Sequence, residues 1–196
     1  MSKKQIEKRN LEMRGVKTNA DSNERILEGI ATVFDTPTVL YEIDGIEYKE
    51  IIDRHALDNA DFSNCCLKYN HSDNVPIMAR TRKGSLKTSI DNEGLHFRAN
   101  LFNTQTSRDV YELVKVGGLD KCSFAFTVED AEYDKNTHTR RILKIDKVFD
   151  ISIVDVPAYD DTDVSARSIF KLENEKEKEL ENSIERKRLL LKLLSY

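Results

Sequence analysis

The chain has 196 residues, room for one domain with its own core plus appendages. It is 39% hydrophobic and 34% charged, against averages of about 45–50% and about 25%, so part of it is expected to be solvated tail. Lys and Arg number 31 against 35 Asp and Glu, a net charge of -4, which leaves no global positive field to attract nucleic acid. The basic opening segment is not followed by an apolar h-region, and no stretch approaches the roughly 18 apolar residues of a membrane span. A soluble, intracellular protein with no membrane partner is expected.

Residues 1–22 carry little apolar periodicity and suggest a loosely held N-terminal arm. From residue 26 the run ILEGIATVF is β-compatible, and Gly29 within it suggests a bulge or a close backbone approach. VLYEI and IEYKEII flank Asp44-Gly45, the signal of a two-residue type I′ turn, so residues 39–52 are predicted to form a hairpin. Asp53 is then placed to cap a short helix through about residue 60. CCLKYN suggests a strand ending at His71, followed by a polar loop and the extended segment VPIMART.

Strands are expected at about 85–90 and 94–101, joined by a turn at residues 91–94. Thr106 to Asp109 resembles a capping box, Val110, Leu113 and Val114 share a face, and Gly117-Gly118 ends this internal helix. KCSFAFTVEDAEY and RRILKIDKVFDISIVDV supply three or more strands rich in Val, Ile and Phe, stopped at Pro157. These elements imply a β-rich α+β fold, a mostly antiparallel β-barrel with peripheral helices. Residues 23–167 are expected to form that domain. Residues 168–196 lack Gly and Pro, mix Glu with Lys and end in a leucine cluster, which predicts a charged C-terminal helix for assembly or targeting.

Cys65, Cys66 and Cys122 have no metal-ligand spacing and suit buried apolar positions in a reducing compartment. Acyl transfer by a hydroxyl needs a base, a group that orients the base, and donors for the oxyanion. Of the four histidines, His55 falls in the expected short helix, His96 in a strand and His138 beside a turn, whereas His71 ends a strand before a polar loop. Such a position is rigid yet reachable, although the same histidine would equally serve to fix the loop. Ser123 alternates with Cys122, Phe124 and Phe126, so it shares a face with the small Ala125. That face suits either a nucleophile or a serine satisfied by its strand, and Cys122 points with the phenylalanines.

In order along residues 25–165, the segments GIATVFD, YNHSDNVPIMART, DNEGLHFRANL, LVKVGGLDKCSFAF and VFDISIVDVPAY resemble the prohead proteases of tailed bacteriophages, a family related in fold to the herpesvirus assemblin proteases. The resemblance implies a herpesvirus-protease-like fold, with His71 in YNHSD as general base and Ser123 in KCSFAF as nucleophile. It implies Asp150 as the third member, where the family often has Glu and the herpesvirus relatives have histidine; Asp146 and Asp155 are the alternatives. No metal or organic cofactor is required by this chemistry. Oxyanion donors are sought in the backbone from Gly117 to Lys121 or from Thr81 to Gly84, or in Arg80 and Arg82 acting through water.

The implied substrates are the major capsid protein precursor, its scaffold segment and the chain itself, in an assembling procapsid within the host cytoplasm. A homodimer or higher oligomer is compatible with the resemblance. Two other readings compete: a non-catalytic capsid-assembly module on the same fold, favoured by the charged tail, and a metal hydrolase, for which no His-Glu-x-x-His or clustered Cys/His pattern occurs.

Overall fold

The structure is a computed structural model that describes residues 5–12, 17–18, 24–155, 170–171, 175, 178–179, 182–188 and 190. Its strands are β1 (Ile6–Glu12), β2 (Lys17–Thr18), β3 (Ile26–Val33), β4 (Thr38–Ile43), β5 (Ile46–Ile52), β6 (Cys66–Tyr69), β7 (Ala79–Arg80), β8 (Leu86–Ile90) and β9 (Gly94–Asn100), followed by helix α1 (Gln105–Lys115), β10 (Lys121–Asp134) and β11 (Thr139–Val154). The fold is β-rich α+β. The described positions from residue 170 to 190 are helical; Pro157, expected to stop the last strand, and the remainder of the expected tail with most of its leucines lie outside the described residues.

The expected barrel is replaced, among the described residues, by two open sheets. One runs β1-β10-β11-β5-β4 with β6 and β7 branching from β11, and the other runs β2-β3-β9-β8. Among the described residues no ladder joins the two into a closed circuit, and side chains of both share one core instead. Leu27, Leu86, Leu95 and Phe97 from the small sheet share one core with Leu67, Phe124, Phe126, Ile151 and Ile153 from the large one, and α1 adds Val110, Tyr111 and Val114. Pairing is antiparallel except for β11 with β5 and β11 with β6.

Two long strands stand where three or more were expected. β10 and β11 pair continuously from Lys121↔Val154 to Asp134↔Thr139, and register shifts between Ala125 and Ala131 bend the ribbon without breaking it. Asp44 and Gly45 both have positive φ, 52° and 79°, as a type I′ hairpin requires. The expected bulge falls between Ile30 and Thr32, beside Gly29, and the close approach belongs to Gly94, where a Cβ would collide with the Thr32 carbonyl. The helix expected after Asp53 is a series of tight turns: Ala56 N–H donates to Asp53 O and Asp58 N–H to His55 O, three-residue spacings that never close an α-turn. Helix α1 starts two residues earlier than the capping pattern suggested, because Thr104 Oγ1 accepts from Ser107 N. Its buried face is Ser107, Val110, Tyr111 and Val114, with Leu113 exposed.

Within the segment expected to be a loosely held arm, the described residues include a paired strand. Residues 6–12 form an edge strand antiparallel to β10, pairing Ile6↔Thr127 through Glu12↔Lys121. Its anchor is ionic. Glu7 and Arg9 are buried with Glu50 of β5 and Arg140 of β11. Glu50 accepts from Arg9 Nη2 at 2.8 Å and from Arg140 Nη1 at 3.0 Å, while Glu7 Oε2 accepts from Arg9 Nη2 at 2.6 Å and from Arg140 Nη1 at 2.7 Å. Burial disfavours each cation, but Glu50 and Glu7 outweigh it and hold both guanidinium groups above their ordinary pKa. Two cations and two anions leave the cluster balanced, which is how four such side chains tolerate burial.

Candidate active site

The local sequence of β10 and β11 alternates between core and a polar face. Cys122, Phe124 and Phe126 enter the core with Ile151 and Ile153, which leaves Ser123, Ala125, Asp150 and Ser152 on the other side. In the register Ser123 lies opposite Ser152, and Ala125 opposite Asp150. Parallel pairing with β6 continues these rows, from Asp150 to Cys66 and from Ser152 to Lys68. Because β6 ends at Tyr69, residue 71 arrives directly over this face.

The chain turns there through two left-handed residues, Asn70 and His71, each with φ of 51°. Such non-glycine conformations cost on the order of 1–3 kcal/mol each and persist only where neighbours over-determine them. Here Asn70 N donates to Ile153 O at 2.9 Å, His71 N to Ser152 Oγ at 3.1 Å, and Asp155 N to Asn70 Oδ1 at 3.2 Å. The imidazole is thereby fixed between two strands.

The result is a continuous hydrogen-bonded chain. His71 Nδ1 is 2.6 Å from Asp150 Oδ1, and His71 Nε2 is 2.7 Å from Ser123 Oγ. An ionised carboxylate only accepts, so Nδ1 carries the proton and the Nε2 lone pair accepts from the serine hydroxyl. Asp150 Oδ1 also accepts from Ser152 Oγ at 2.8 Å, and Oδ2 faces Lys68 Nζ at 4.0 Å. Ser123 is fully buried, and the side chains of His71 and Asp150 are each 8% exposed. In so dry a setting these hydrogen bonds are stronger than in water. Chemically, the arrangement can draw the proton from Ser123 as its oxygen attacks an acyl carbon.

Ser123, His71 and Asp150 are thus brought together from three strands' worth of separate sequence. The alternative orienters lie elsewhere: Asp155 accepts from Tyr69 OH at 2.9 Å, and Asp146 contacts Thr127 Oγ1 at 3.4 Å. His55 pairs with Asp58, His96 with Asp91, and His138 lies beside the ring of Tyr48 with its Nδ1 3.2 Å from the Tyr133 hydroxyl. Cys122 is fully buried, and burial pushes its thiol well above the usual range, so its thiolate is strongly disfavoured. Burial, reinforced by Cys66, pushes Cys65 up to about 12.

Most of the oxyanion donors considered from sequence are already engaged. Gly117 N donates to Val114 O, and Gly118 N and Leu119 N donate to Leu113 O, closing the C-terminus of α1. Thr81 N donates to Cys65 O and Gly84 N to Thr81 O. Arg80 extends the Asp150–Cys66 row on β7, with Nη2 3.8 Å from Cys66 Sγ. Ser152 and Lys68 were not anticipated. Among the described residues the local signal for Ser152 is a second polar residue two places after Asp150 in the otherwise apolar end of β11, residues 148–154. Among the described residues no three His, Cys, Asp or Glu side chains gather as metal ligands, and no helix is long and apolar enough to cross a membrane.

No curated protein matches the chain. The structure is similar to that of the bacteriophage T4 capsid assembly protease, gp21, with a TM-score of 0.52 at 12% identity, covering 78% of this chain and 97% of that one. At this identity the likeness speaks to the fold. The sequence model of the Caudovirus prohead serine proteases matches residues 9–178, which include all of β3 to β11. By that match over most of its length, the chain belongs to the Caudovirus prohead serine protease family and is a serine protease.

Proposed function

We propose that this protease cuts capsid and scaffold precursor proteins, and itself, as phage procapsids mature, with Ser123 as nucleophile, His71 as general base and Asp150 as the orienting carboxylate. The observation that carries the reading is the unbroken chain Asp150–His71–Ser123 at 2.6 and 2.7 Å. Ser123 Oγ attacks the scissile carbonyl while His71 Nε2 takes its proton, and the imidazolium then gives that proton to the leaving amine. Water, activated in the same way, releases the acyl group. Asp150 holds the Nδ1–H tautomer and stabilises the imidazolium.

Capsid precursor as substrate is supported by family membership and by the described role of the T4 protein as a capsid assembly protease. The same proposal includes action inside the procapsid in the host cytoplasm, and kinship in fold with herpesvirus assemblin. We assign residues 23–167, with β1 as their added edge strand, to the protease domain, and residues 168–196 to an assembly or targeting helix. That helix begins docked rather than free: Phe170 is 1% exposed against Tyr41, Tyr48 and Tyr133. Its described positions from 175 onward are exposed.

Coexpression with the coat precursor tests the reading. Wild-type chain should shorten the precursor, as read by intact mass, and Ser123→Ala should leave it whole. Equal cleavage by both would refute the assignment, and no cleavage by either would favour a non-catalytic assembly module.

A further inference from the structure

The strand pair that carries the nucleophile also carries a second buried hydroxyl. Ser152 is fully buried and sits directly opposite Ser123 in the β10–β11 register. A serine in such a strand commonly satisfies its hydroxyl on nearby backbone. This one does not. Its Oγ donates to Asp150 Oδ1 at 2.8 Å, accepts the backbone N–H of His71 at 3.1 Å, and lies 3.2 Å from His71 Nδ1.

We propose that Ser152 is a positioning residue for the reaction, one hydroxyl that locks the Asp150 carboxylate and the left-handed His71 backbone to each other and so aims Nε2 at Ser123. The inference rests on the roles proposed for Ser123 and His71. Two independent features support it. First, Asp150 Oδ1 receives both the imidazole N–H and the Ser152 O–H, so the carboxylate cannot rotate about its own bond without losing two donors at once. Lys68 is no substitute, because it is 4.0 Å from the other carboxylate oxygen and pairs with Asp73. Second, His71 has a φ of 51°, and its N–H is held by the Ser152 hydroxyl, which ties the backbone that bears the base to the strand opposite the nucleophile. Alanine fits the same place in β11 but leaves that N–H and one carboxylate lone pair without their partner.

The test uses the full chain and diisopropyl fluorophosphate, a small reagent that reports serine activation without any peptide. Ser123 Oγ forms a bond to phosphorus as the P–F bond breaks, the serine proton passes to His71 and fluoride leaves. Second-order labelling rates are measured by intact mass for wild type, Ser123→Ala, Ser152→Ala and Ser152→Thr, with circular dichroism confirming the fold. Ser152→Ala is expected to label about 10- to 100-fold more slowly, the scale set by a displacement of about 1 Å in a reacting group. Ser152→Thr, which keeps the hydroxyl, is expected to recover most of that rate. Should Ser152→Ala not fold, Ser152→Cys, close in volume but a weak donor, takes its place. Labelling of Ser152→Ala or Ser152→Cys at the wild-type rate, or equal loss in Ser152→Thr, overturns the proposal while an unlabelled Ser123→Ala keeps the nucleophile assignment. A Ser123→Ala chain that labels like wild type overturns both.

Discussion

Replacing Glu50 by alanine removes one anion from a buried cluster of four charges. Glu50 is 3% exposed in its side chain and accepts from Arg9 Nη2 at 2.8 Å and Arg140 Nη1 at 3.0 Å, with Arg9 Nε on its other oxygen. After the change Glu7 alone faces two buried guanidinium groups. Breaking a buried ion pair from one side costs about 3–5 kcal/mol, a large share of the roughly 5–15 kcal/mol that holds a domain together. At about 2–4 °C per kcal/mol for a chain of this length, the melting temperature should fall by about 6–20 °C. Adding Arg140→Met restores charge balance around the remaining Glu7–Arg9 pair and should recover at least half of the loss. Because Glu7 and Arg9 both lie in β1, hydrogen exchange in residues 6–12 should rise in the single variant, along the edge of the strand that carries Ser123. Thermal unfolding of the two variants decides the matter. A Glu50→Ala chain that melts within about 2 °C of wild type, or a double variant weaker than the single one, would refute the view that paired charge holds this strand.

Asp150→Asn should lower the rate of precursor cleavage on the order of 10⁴-fold by disturbing the imidazole tautomer, whereas Asp146→Asn and Asp155→Asn, whose side chains lie off His71, should stay near wild type when initial rates are compared. Acid should weaken the fold: a hydrogen bond from Arg54, with Arg141, depresses Asp35, the His55 N–H, with Arg141, depresses Asp53, and Lys147, with Ser63, depresses Asp61. Lowered folded-state values give stability that is present above the unfolded value of about 3.9 and lost as pH falls through the folded values, so the urea midpoint should be flat from pH 7 to about 5 and drop below about 4. An unchanged midpoint at pH 3 would contradict this. Phe170→Ala should cost about 3–5 kcal/mol of tail docking, read as proteolysis after residue 155 in a still folded domain. Truncation after Arg167 should give a soluble, cleaving product that no longer enters procapsids; an insoluble one would make the helix part of the core.

Much of the fold was legible where local chemistry decides it. Asp44-Gly45 fixed its hairpin because both residues tolerate positive φ, and the alternation of Cys122, Phe124 and Phe126 against Ser123 and Ala125 assigned the two faces of β10. Strand β1 was not legible, since Glu7 and Arg9 resemble a solvated pattern until Glu50 and Arg140, 41 and 133 residues away, bury with them. The turns after Asp53 look helical by capping, but Arg141 holds the Asp53 carboxylate at 2.7 Å and the spacings stay short. Within the candidate trio, placement and alternation singled out His71 and Ser123, but joining them to each other and to Asp150 took the order of the family motifs, because His71 is 52 residues from the serine and 79 from the aspartate. What closes those gaps is the parallel β6–β11 ladder together with the β10–β11 pairing, long-range contacts that no local periodicity encodes. Ser152 has the weakest signal of all, a small polar residue whose proposed role rests entirely on what faces it.

Peptide mapping of the wild-type chain after treatment with diisopropyl fluorophosphate tests the central claim most directly. The adduct should lie on Ser123 alone, and His71→Ala should reduce its rate of formation by orders of magnitude although the serine is still present. An adduct on another residue, no adduct, or an undiminished rate in His71→Ala would contradict the assignment of Ser123 and His71 as nucleophile and base.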